Sequence, residues 1–344
     1  MWGDDDPLRD GAGRSGHGHG TSADMPDWLR CLRESPIGPG AALYMATVAV
    51  PRGALRRGFA GRDGRPVVAC DPSQRDPSFL APLMDLLHAL AESYFRWEVR
   101  GIEEVPPSGA ALMVGSHNGG VVNTDSLFTL LAVWRRFGPA RVVRPLAHDF
   151  VFFDPLLGRI ANRMGVLRAG HDAAAQAFGR GEMVLVYPGS DLDTWRPFGQ
   201  RNRIELGGRK GFLKLALRER VPIVPVVSAG TSEQMVVLVR GDGIARTLGL
   251  KRLLRAEACP IVLALPWGIT SGYLPYLPLP AQTTLRFGSP IRFANVDPAQ
   301  AEDPHTLERC YAEICAQMQA LLDSVTEGRR WLRGQPQRGA GGRW

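Results

Sequence analysis

The stretch "ALMVGSHNGGVVNTDSLFTLLAVWRRF", residues 111–137, passes from an apolar run through a glycine-bearing turn into a helical pattern. ALMV at 111–114 predicts a buried strand, and SLFTLLAVWRRF at 126–137 predicts an amphipathic helix. Gly138 follows as a stop signal, with two arginines near the negative end of the helix. A strand followed by a helix is the unit from which parallel sheets are built, so this stretch indicates an α/β fold.

The rest of the chain repeats this alternation of strand and helix. Alternation of this kind predicts a mostly parallel central sheet flanked by helices on both faces, here with an N-terminal helical extension. Further strands are predicted at 141–146, 183–187, 222–227, 261–265 and 283–287. Further helices are predicted at 77–96, 154–164, 171–178, 208–220 and 305–325.

The composition limits the class of protein. The chain has 344 residues, of which 44% are hydrophobic, enough for one large α/β domain with extensions. The formal net charge is +7, and the excess is mostly arginine, which suits partners that carry phosphate groups. No nucleic-acid-binding motif accompanies the charge, so no nucleic-acid partner is expected. Five scattered cysteines without a CxxC pair indicate neither a metal site nor a disulfide framework.

Four segments are predicted along the chain. Residues 1–25 have the composition of a disordered tail, and 26–97 form an N-terminal helical, membrane-proximal segment. Residues 98–326 form the α/β domain, and 327–344, with five arginines and two tryptophans, predict a disordered basic tail suited to anionic headgroups. No apolar run is long enough to span a bilayer. The apolar, proline-rich stretch at 259–280 is expected to lie on a membrane.

The loop after the first strand carries the clearest candidate for chemistry. His117 lies in a turn with Gly119 and Gly120, so it has little local packing to satisfy. An accessible imidazole takes a proton from a hydroxyl near neutral pH when a carboxylate holds its other nitrogen. Asp125 is the candidate for that carboxylate. Asp125 also lies at the start of the predicted helix, where Asp is a favoured N-cap, and this alternative stays open.

A second polar loop, YPGSDLDTWRPFGQRNR at 187–203, follows the strand MVLVY. Its two aspartates, Asp191 and Asp193, and its arginines predict the polar edge of a pocket, with a charged surface loop as the alternative. The helix start that follows, GGRKG at 207–211, is glycine-flanked and basic, which makes it a candidate anion site. Loops at the carboxyl ends of neighbouring parallel strands meet at one sheet edge.

These blocks, in this order, resemble the glycerolipid acyltransferase family, which includes lysophosphatidate and glycerol-3-phosphate acyltransferases. The likeness runs from about residue 94 to 291 and is strongest to the bacterial diacylglycerol-acyltransferase-like branch. The matching positions are Gly101, Ile102 and Pro106 in the lead-in, His117 at the family's histidine, Phe152, Gly165 and Arg168 in the second block, Tyr187, Pro188, Gly189 and Ser190 in the third, and Lys210, Gly211, Val221, Pro222 and Pro225 beyond it.

Two positions depart from the family's pattern. Seven residues separate His117 from Asp125 where the family has four, so the loop must bulge for the pair to meet. Gly189 and Ser190 stand where the family has Glu-Gly, residues that help to hold a glycerol phosphate acceptor there. Asp191, Asp193 and Arg196 are candidates to replace them, and the sequence leaves open whether the acceptor carries a phosphate.

The resemblance implies acyl transfer from an acyl-CoA or acyl carrier protein thioester to a hydroxyl of a glycerolipid or related lipid. His117 would act as the base and Asp125 would orient it, with no metal and no cofactor beyond the acyl donor. Peripheral attachment to the cytoplasmic face of an anionic membrane is expected. The implied substrate-binding residues are Gly119 and Gly120 for the oxyanion, Arg168, Arg196 and Arg209 for phosphates, and Tyr187, Pro188, Gly189, Ser190, Asp191, Asp193 and Lys210 around the acceptor.

Two other classes of protein stay open. A lipid ester or thioester hydrolase is one alternative: HNGG at 117–120 is similar to the glycine-rich oxyanion loop of lipolytic α/β-hydrolases, and GSDL at 189–192 to a fragment of serine esterases. The chain lacks the G-x-S-x-G turn that such α/β hydrolases use for their nucleophile. A catalytically silent lipid-surface binding protein would also account for the basic tail and the proline-rich apolar stretch.

Overall fold

The computed structural model describes residues 67–117, 120–247, 258–274 and 276–335 of the chain. The helices are α1 Pro77–Ser93, α2 Thr124–Phe137, α3 Pro155–Met164, α4 His171–Gly179, α5 Asp191–Thr194, α6 Gly211–Arg218, α7 Asp242–Thr247 and α8 Pro304–Thr326. The strands are β1 Glu98–Arg100, β2 Ala111–Gly115, β3 Val143–Ala147, β4 Leu167–Arg168, β5 Met183–Val186, β6 Ile223–Ala229, β7 Val236–Val239, β8 Ile261–Ala264, β9 Gly268–Ser271 and β10 Thr284–Phe287.

A seven-stranded sheet forms the centre of the domain, in the order β1-β10-β6-β2-β5-β3-β4. The five strands from β6 to β4 are parallel to their neighbours, as are β1 and β10 to each other. The sheet changes direction once, because β10 is antiparallel to β6. The predicted mostly parallel α/β sheet is confirmed.

Strand β2 shows why helices cover both faces of this sheet. Successive side chains of a strand point to opposite faces, and all five residues of β2 are buried. Leu112 and Val114 pack with apolar residues of α4, α6 and α8. Met113 faces the other way, into a cluster that includes residues of α2, and α1 packs on α2 beyond it. A strand buried on both faces reads as an unbroken apolar run, which is what ALMV predicted.

Three helices begin at an Asp-Pro pair. The side chains of Asp76, Asp154 and Asp303 accept backbone N–H groups in the first turns of α1, α3 and α8. The proline after each aspartate has no N–H group to leave unpaired, and its φ angle already suits a helix. Within the described ranges, no helix is long and apolar enough to cross a bilayer.

A second, three-stranded sheet of order β7-β8-β9 lies outside the main one. Both of its strand pairs are antiparallel, so the predicted strand at 261–265 does not extend the parallel sheet. The reason is the three-residue connection between β8 and β9, which is too short to carry a crossover between parallel strands.

The start of the predicted basic tail belongs to the domain. Arg329 and Glu233 form a buried ion pair, with Nε to Oε1 at 2.8 Å, and the N–H of Leu332 also donates to Glu233. Disorder predicted from residue 327 is therefore wrong for 327–335, because this buried acid, distant in sequence, fixes the segment. The rest of that tail, the predicted tail at 1–25 and residues 26–66 of the predicted segment at 26–97 lie outside the described residues.

Candidate active site

The two polar loops meet at the carboxyl edge of β2 and β5, which are parallel neighbours. The His117 ring stacks on the Tyr187 ring, with centroids 3.9 Å apart and planes 7° from parallel. The backbone N–H of His117 donates to Oδ2 of Asp193 at 3.3 Å. The expectation that these loops share one edge therefore holds.

His117 and Asp125 are in direct contact despite the seven residues between them. Nδ1 of His117 lies 3.1 Å from Oδ2 and 3.3 Å from Oδ1 of Asp125. Asp125 is the second residue of α2, and Asn123 occupies the N-cap position. The N-cap alternative for Asp125 is therefore wrong, although one carboxylate oxygen also accepts the N–H of Ser126. The bulge is achieved partly by left-handed backbone at Gly120 and Asn123.

The contact determines which ring nitrogen is available to a substrate. A neutral imidazole that donates Nδ1–H to a carboxylate keeps its lone pair on Nε2. No residue of the described ranges hydrogen-bonds Nε2. The Asp125 side chain is 1% exposed and the His117 side chain 15%, so the acid is sealed in while the ring reaches the surface of the site. This arrangement suits a base that a carboxylate orients.

Tyr187 packs behind the imidazole. Its hydroxyl shares a hydrogen bond of 3.2 Å with Thr129 of α2, and burial raises the pKa of the phenol. Gly115 makes the stack possible, because a Cβ there would lie 2.2 Å from the Tyr187 ring. Tyr187 was predicted to bind substrate; the structure also makes it the surface on which the His117 ring rests.

Asp193 and Arg196 form a buried ion pair beneath the His117 loop. Nη2 of Arg196 donates to Oγ of Ser116 at 3.0 Å, while Asp193 accepts the His117 N–H. Burial raises the pKa of Asp193 to about 6, against the opposing influence of Arg196 and His117. In the structure both side chains are buried: Asp193 holds the backbone of His117, and Arg196 holds the hydroxyl of Ser116. Their predicted contact with substrate stays a prediction.

Asp193 also accounts for the glycine at 189. A Cβ on Gly189 would lie 2.1 Å from Cγ of Asp193. The Asp193 carboxylate therefore occupies the space that a side chain at position 189 would need. The acidic group beside Gly189 thus comes from Asp193 in the short helix α5. Ser190, with a φ of 51°, precedes α5 and directs the backbone into it.

The remaining cationic candidates have partners within the protein. Nη1 of Arg209 donates to the carbonyls of Pro188 and Gly189, at 3.1 and 3.2 Å. Lys210 pairs with Glu308 of α8, and Arg168 forms a two-pronged pair with Asp149 on the surface. Asp191 begins α5, and Gly119 lies outside the described residues. The basic residues foreseen as phosphate ligands thus have anionic or carbonyl partners.

One wall of the site comes from residues that the sequence did not single out. A Cβ on Gly120 would lie 2.4 Å from Cε of Met235 and 3.0 Å from Oη of Tyr276. Oγ1 of Thr124 donates to Oε1 of Gln234 at 2.7 Å, which ties the start of α2 to the segment before β7. No local pattern connects these positions. The Asp193–Arg196 pair, in contrast, joins two residues that are only three positions apart in the sequence.

In α/β proteins with a mostly parallel sheet, functional sites lie at the carboxyl edge of the strands, and a histidine–carboxylate pair at that edge suits acid–base chemistry. The family model described as Acyltransferase matches residues 96–229. This range contains His117, Asp125 and the loop that follows β5. An uncharacterised protein of Mycobacterium tuberculosis is 32% identical over 256 residues, covering 74% of this chain and 69% of that protein. The chain belongs to the acyltransferase family and is an acyltransferase.

More distant relatives carry descriptive names. A "DGAT1/2-independent enzyme synthesizing storage lipids" of Homo sapiens is 24% identical over 232 residues, covering 66% of this chain and 61% of its own. The Gallus gallus protein of the same name is 25% identical over 245 residues, covering 70% and 63%. A crystal structure of the lysophosphatidate acyltransferase PlsC from Thermotoga maritima aligns with a TM-score of 0.43 at 15% identity, covering 86% of this chain and 95% of that one.

Proposed function

We propose that this acyltransferase moves a fatty acyl group from an acyl-CoA or acyl carrier protein thioester to a hydroxyl of a glycerolipid. The observation that carries the proposal is the His117 ring, with Nδ1 on the buried Asp125 and Nε2 directed away from any described partner. Such a ring can take a proton from an alcohol, so that the alcohol attacks the acyl donor directly and no covalent acyl-enzyme intermediate is needed.

The step is a direct displacement. Nε2 of His117 removes the hydroxyl proton as the acceptor oxygen attacks the thioester carbon. The carbon–sulfur bond breaks, and the protonated ring returns the proton to the departing thiolate. Asp125 stabilises the imidazolium that forms in between. Backbone N–H groups near Gly119 and Gly120 are the candidates for the developing oxyanion.

We further propose that the acceptor is a neutral glycerolipid, a mono- or diacylglycerol, rather than a glycerol phosphate. Binding a phosphate in a partly buried site calls for arginine or lysine groups able to contact it. Arg196 is paired with Asp193 beneath His117, and Arg209 is bound to backbone carbonyls. The names of the vertebrate relatives, which refer to storage lipids, agree with a neutral acceptor.

A membrane-embedded acceptor requires the enzyme to work at a bilayer. We propose peripheral attachment at the cytoplasmic face, supported by the net charge of +7 and by the anionic lipids that such surfaces carry. A basic protein gains association with an anionic surface through electrostatic attraction, which salt weakens.

A panel of acceptors tests the proposal. The full chain is incubated with radiolabelled acyl-CoA or acyl carrier protein and, separately, monoacylglycerol, diacylglycerol, lysophosphatidate and glycerol 3-phosphate. We expect label in the neutral acceptors, and His117→Ala should remove it. Preferential labelling of the phosphorylated acceptors would refute the neutral-acceptor proposal. Release of free fatty acid without any acceptor would indicate a hydrolase, and lipid binding without either product would indicate a silent binder.

A further inference from the structure

The small β7-β8-β9 sheet has one buried and one exposed apolar face. Val237, Val262 and Ala264 point inward and pack with Trp195 and Met235. Leu263 and Ile269, which are directly opposite each other on β8 and β9, point outward. Ile269 is 71% exposed, although antiparallel sheets with a solvated face normally place polar residues there.

The exposed apolar side chains are concentrated rather than scattered. The described part of the chain exposes eleven large apolar side chains, and six of them lie within the fifteen residues from 263 to 277. Concentrated apolar exposure of this kind marks an interaction surface, whereas single exposed residues need no explanation. We call these six side chains the apolar platform: Leu263, Leu265, Trp267, Ile269, Leu274 and Leu277.

The charge pattern favours a bilayer as the occupant of the apolar platform. Residues 258–285 contain no Asp, Glu, Lys, Arg or His, although 22% of the chain is charged. Lys251, Arg252 and Arg255, with one acidic residue, Glu257, come just before this uncharged run in the sequence. Trp267 lies between β8 and β9, and tryptophan favours the boundary between headgroups and acyl chains. An uncharged apolar stretch next to basic residues complements an anionic bilayer.

The inner side of the same sheet reaches the candidate active site. Met235 and Tyr276, which pack with the buried residues of β7 and β8, also lie against Gly120 of the His117 loop. Gln234, next to Met235, accepts the hydroxyl of Thr124, the residue before Asp125. The apolar platform is therefore connected to the catalytic loop through a single layer of side chains.

We propose that the apolar platform docks shallowly on an anionic bilayer and positions His117 to receive a lipid acceptor directly from it. Docking must be shallow, because an open sheet edge carries unpaired backbone groups that hydrocarbon does not tolerate. The delivery of an acceptor rests on the proposed function, whereas the docking surface does not.

Vesicle flotation of the full chain tests the platform. The vesicles contain phosphatidylcholine with about one third phosphatidylglycerol, and the variants are Ile269→Glu and, as the matched control, Val67→Glu. Val67 is 55% exposed and lies outside the platform, so both variants make the same change at an exposed apolar side chain. We expect Ile269→Glu to weaken vesicle partitioning at least tenfold and Val67→Glu to change it less than twofold, with both proteins folded by circular dichroism.

A second readout follows Trp267 itself. Brominated lipids should quench its fluorescence on vesicle binding, and Trp267→Phe should lose that part of the quenching. Equal partitioning of wild type and Ile269→Glu would overturn the proposal. The proposal would also be overturned if the wild type formed a dimer that does not bind vesicles and if Ile269→Glu made that dimer dissociate. The occupant of the apolar platform would then be a second copy of the chain.

Activity assays separate this proposal from the proposed function. Ile269→Glu should lose transfer to vesicle-borne diacylglycerol at least tenfold and keep transfer to a dispersed short-chain acceptor within about twofold of wild type. Vesicle binding that depends on Ile269, without transfer to either acceptor by any variant, would refute the proposed function and leave the docking surface standing. Loss of transfer to both acceptors in folded Ile269→Glu would overturn the role of the platform in delivery.

Discussion

The loops that follow β2 and β5 lie side by side but differ in what their polar side chains contact. The β2 loop contributes His117 with a ring nitrogen open to substrate. The β5 loop is richer in charge, yet Asp193 and Arg196 point inward. Asp193 accepts the backbone N–H of His117, and Arg196 donates to the hydroxyl of Ser116. The difference shows that a charged residue in a predicted pocket does not have to contact substrate. A buried charge needs an oppositely charged or hydrogen-bonding partner, and that partner can be another residue of the same loop.

His117→Ala separates the two loops most sharply. Loss of the base should lower kcat by about 10²- to 10⁴-fold, the usual contribution of a general base, with little change in melting temperature. His305→Ala, an exposed histidine on α8, is the control. If His117→Ala transferred the acyl group at the wild-type rate, His117 would not be the base.

Asp125→Asn tests the orientation of the base. Asparagine keeps the shape but can present an amide N–H to Nδ1, which favours the wrong tautomer, so kcat should fall about 10²-fold or more. A change confined to the melting temperature would show that Asp125 only stabilises the start of α2. Steady-state kinetics and thermal denaturation of the same preparation distinguish the two results.

Asp193→Asn tests the supporting role of the β5 loop. It leaves Arg196 buried without a carboxylate, and the free energy of unfolding should fall by about 3–5 kcal/mol in urea denaturation. Replacing both partners, as in Asp193→Leu with Arg196→Met, should recover most of that loss. An unchanged stability in the single variant would contradict the buried pair.

Gly115→Ala tests the stack of His117 on Tyr187. The added Cβ would lie 2.2 Å from the tyrosine ring and should displace it, costing about 1–3 kcal/mol and lowering kcat several-fold. Gly199→Ala in the β5 loop is the matched control, because nothing lies within 4 Å of its Cβ. Equal behaviour of the two variants would show that the stack does not position the ring.

Arg168→Ala should have the smallest effect. Its pair with Asp149 is exposed, so stability should change by less than about 1 kcal/mol, and the KM for acyl-CoA by less than about twofold. A tenfold rise in that KM would show that Arg168 leaves Asp149 to bind a phosphate of the donor.

The sequence predicted the elements better than their connections. ALMV indicated β2 because burial on both faces produces an unbroken apolar run. His117 could be singled out from the sequence because a histidine next to glycines has few local packing partners. Three features could not be predicted: the inward direction of Arg196, the packing of Met235 on the His117 loop and the pair of Arg329 with Glu233. Each depends on residues that only the folded chain brings together.

The most direct measurement is the ring ¹⁵N spectrum of His117, assigned by its absence in His117→Ala and recorded at alkaline pH. The account predicts a protonated Nδ1 and an unprotonated Nε2 in the wild type, with that preference lost in Asp125→Asn. A wild-type ring that carries its proton on Nε2 would contradict it, since that nitrogen could not then accept the proton of an alcohol.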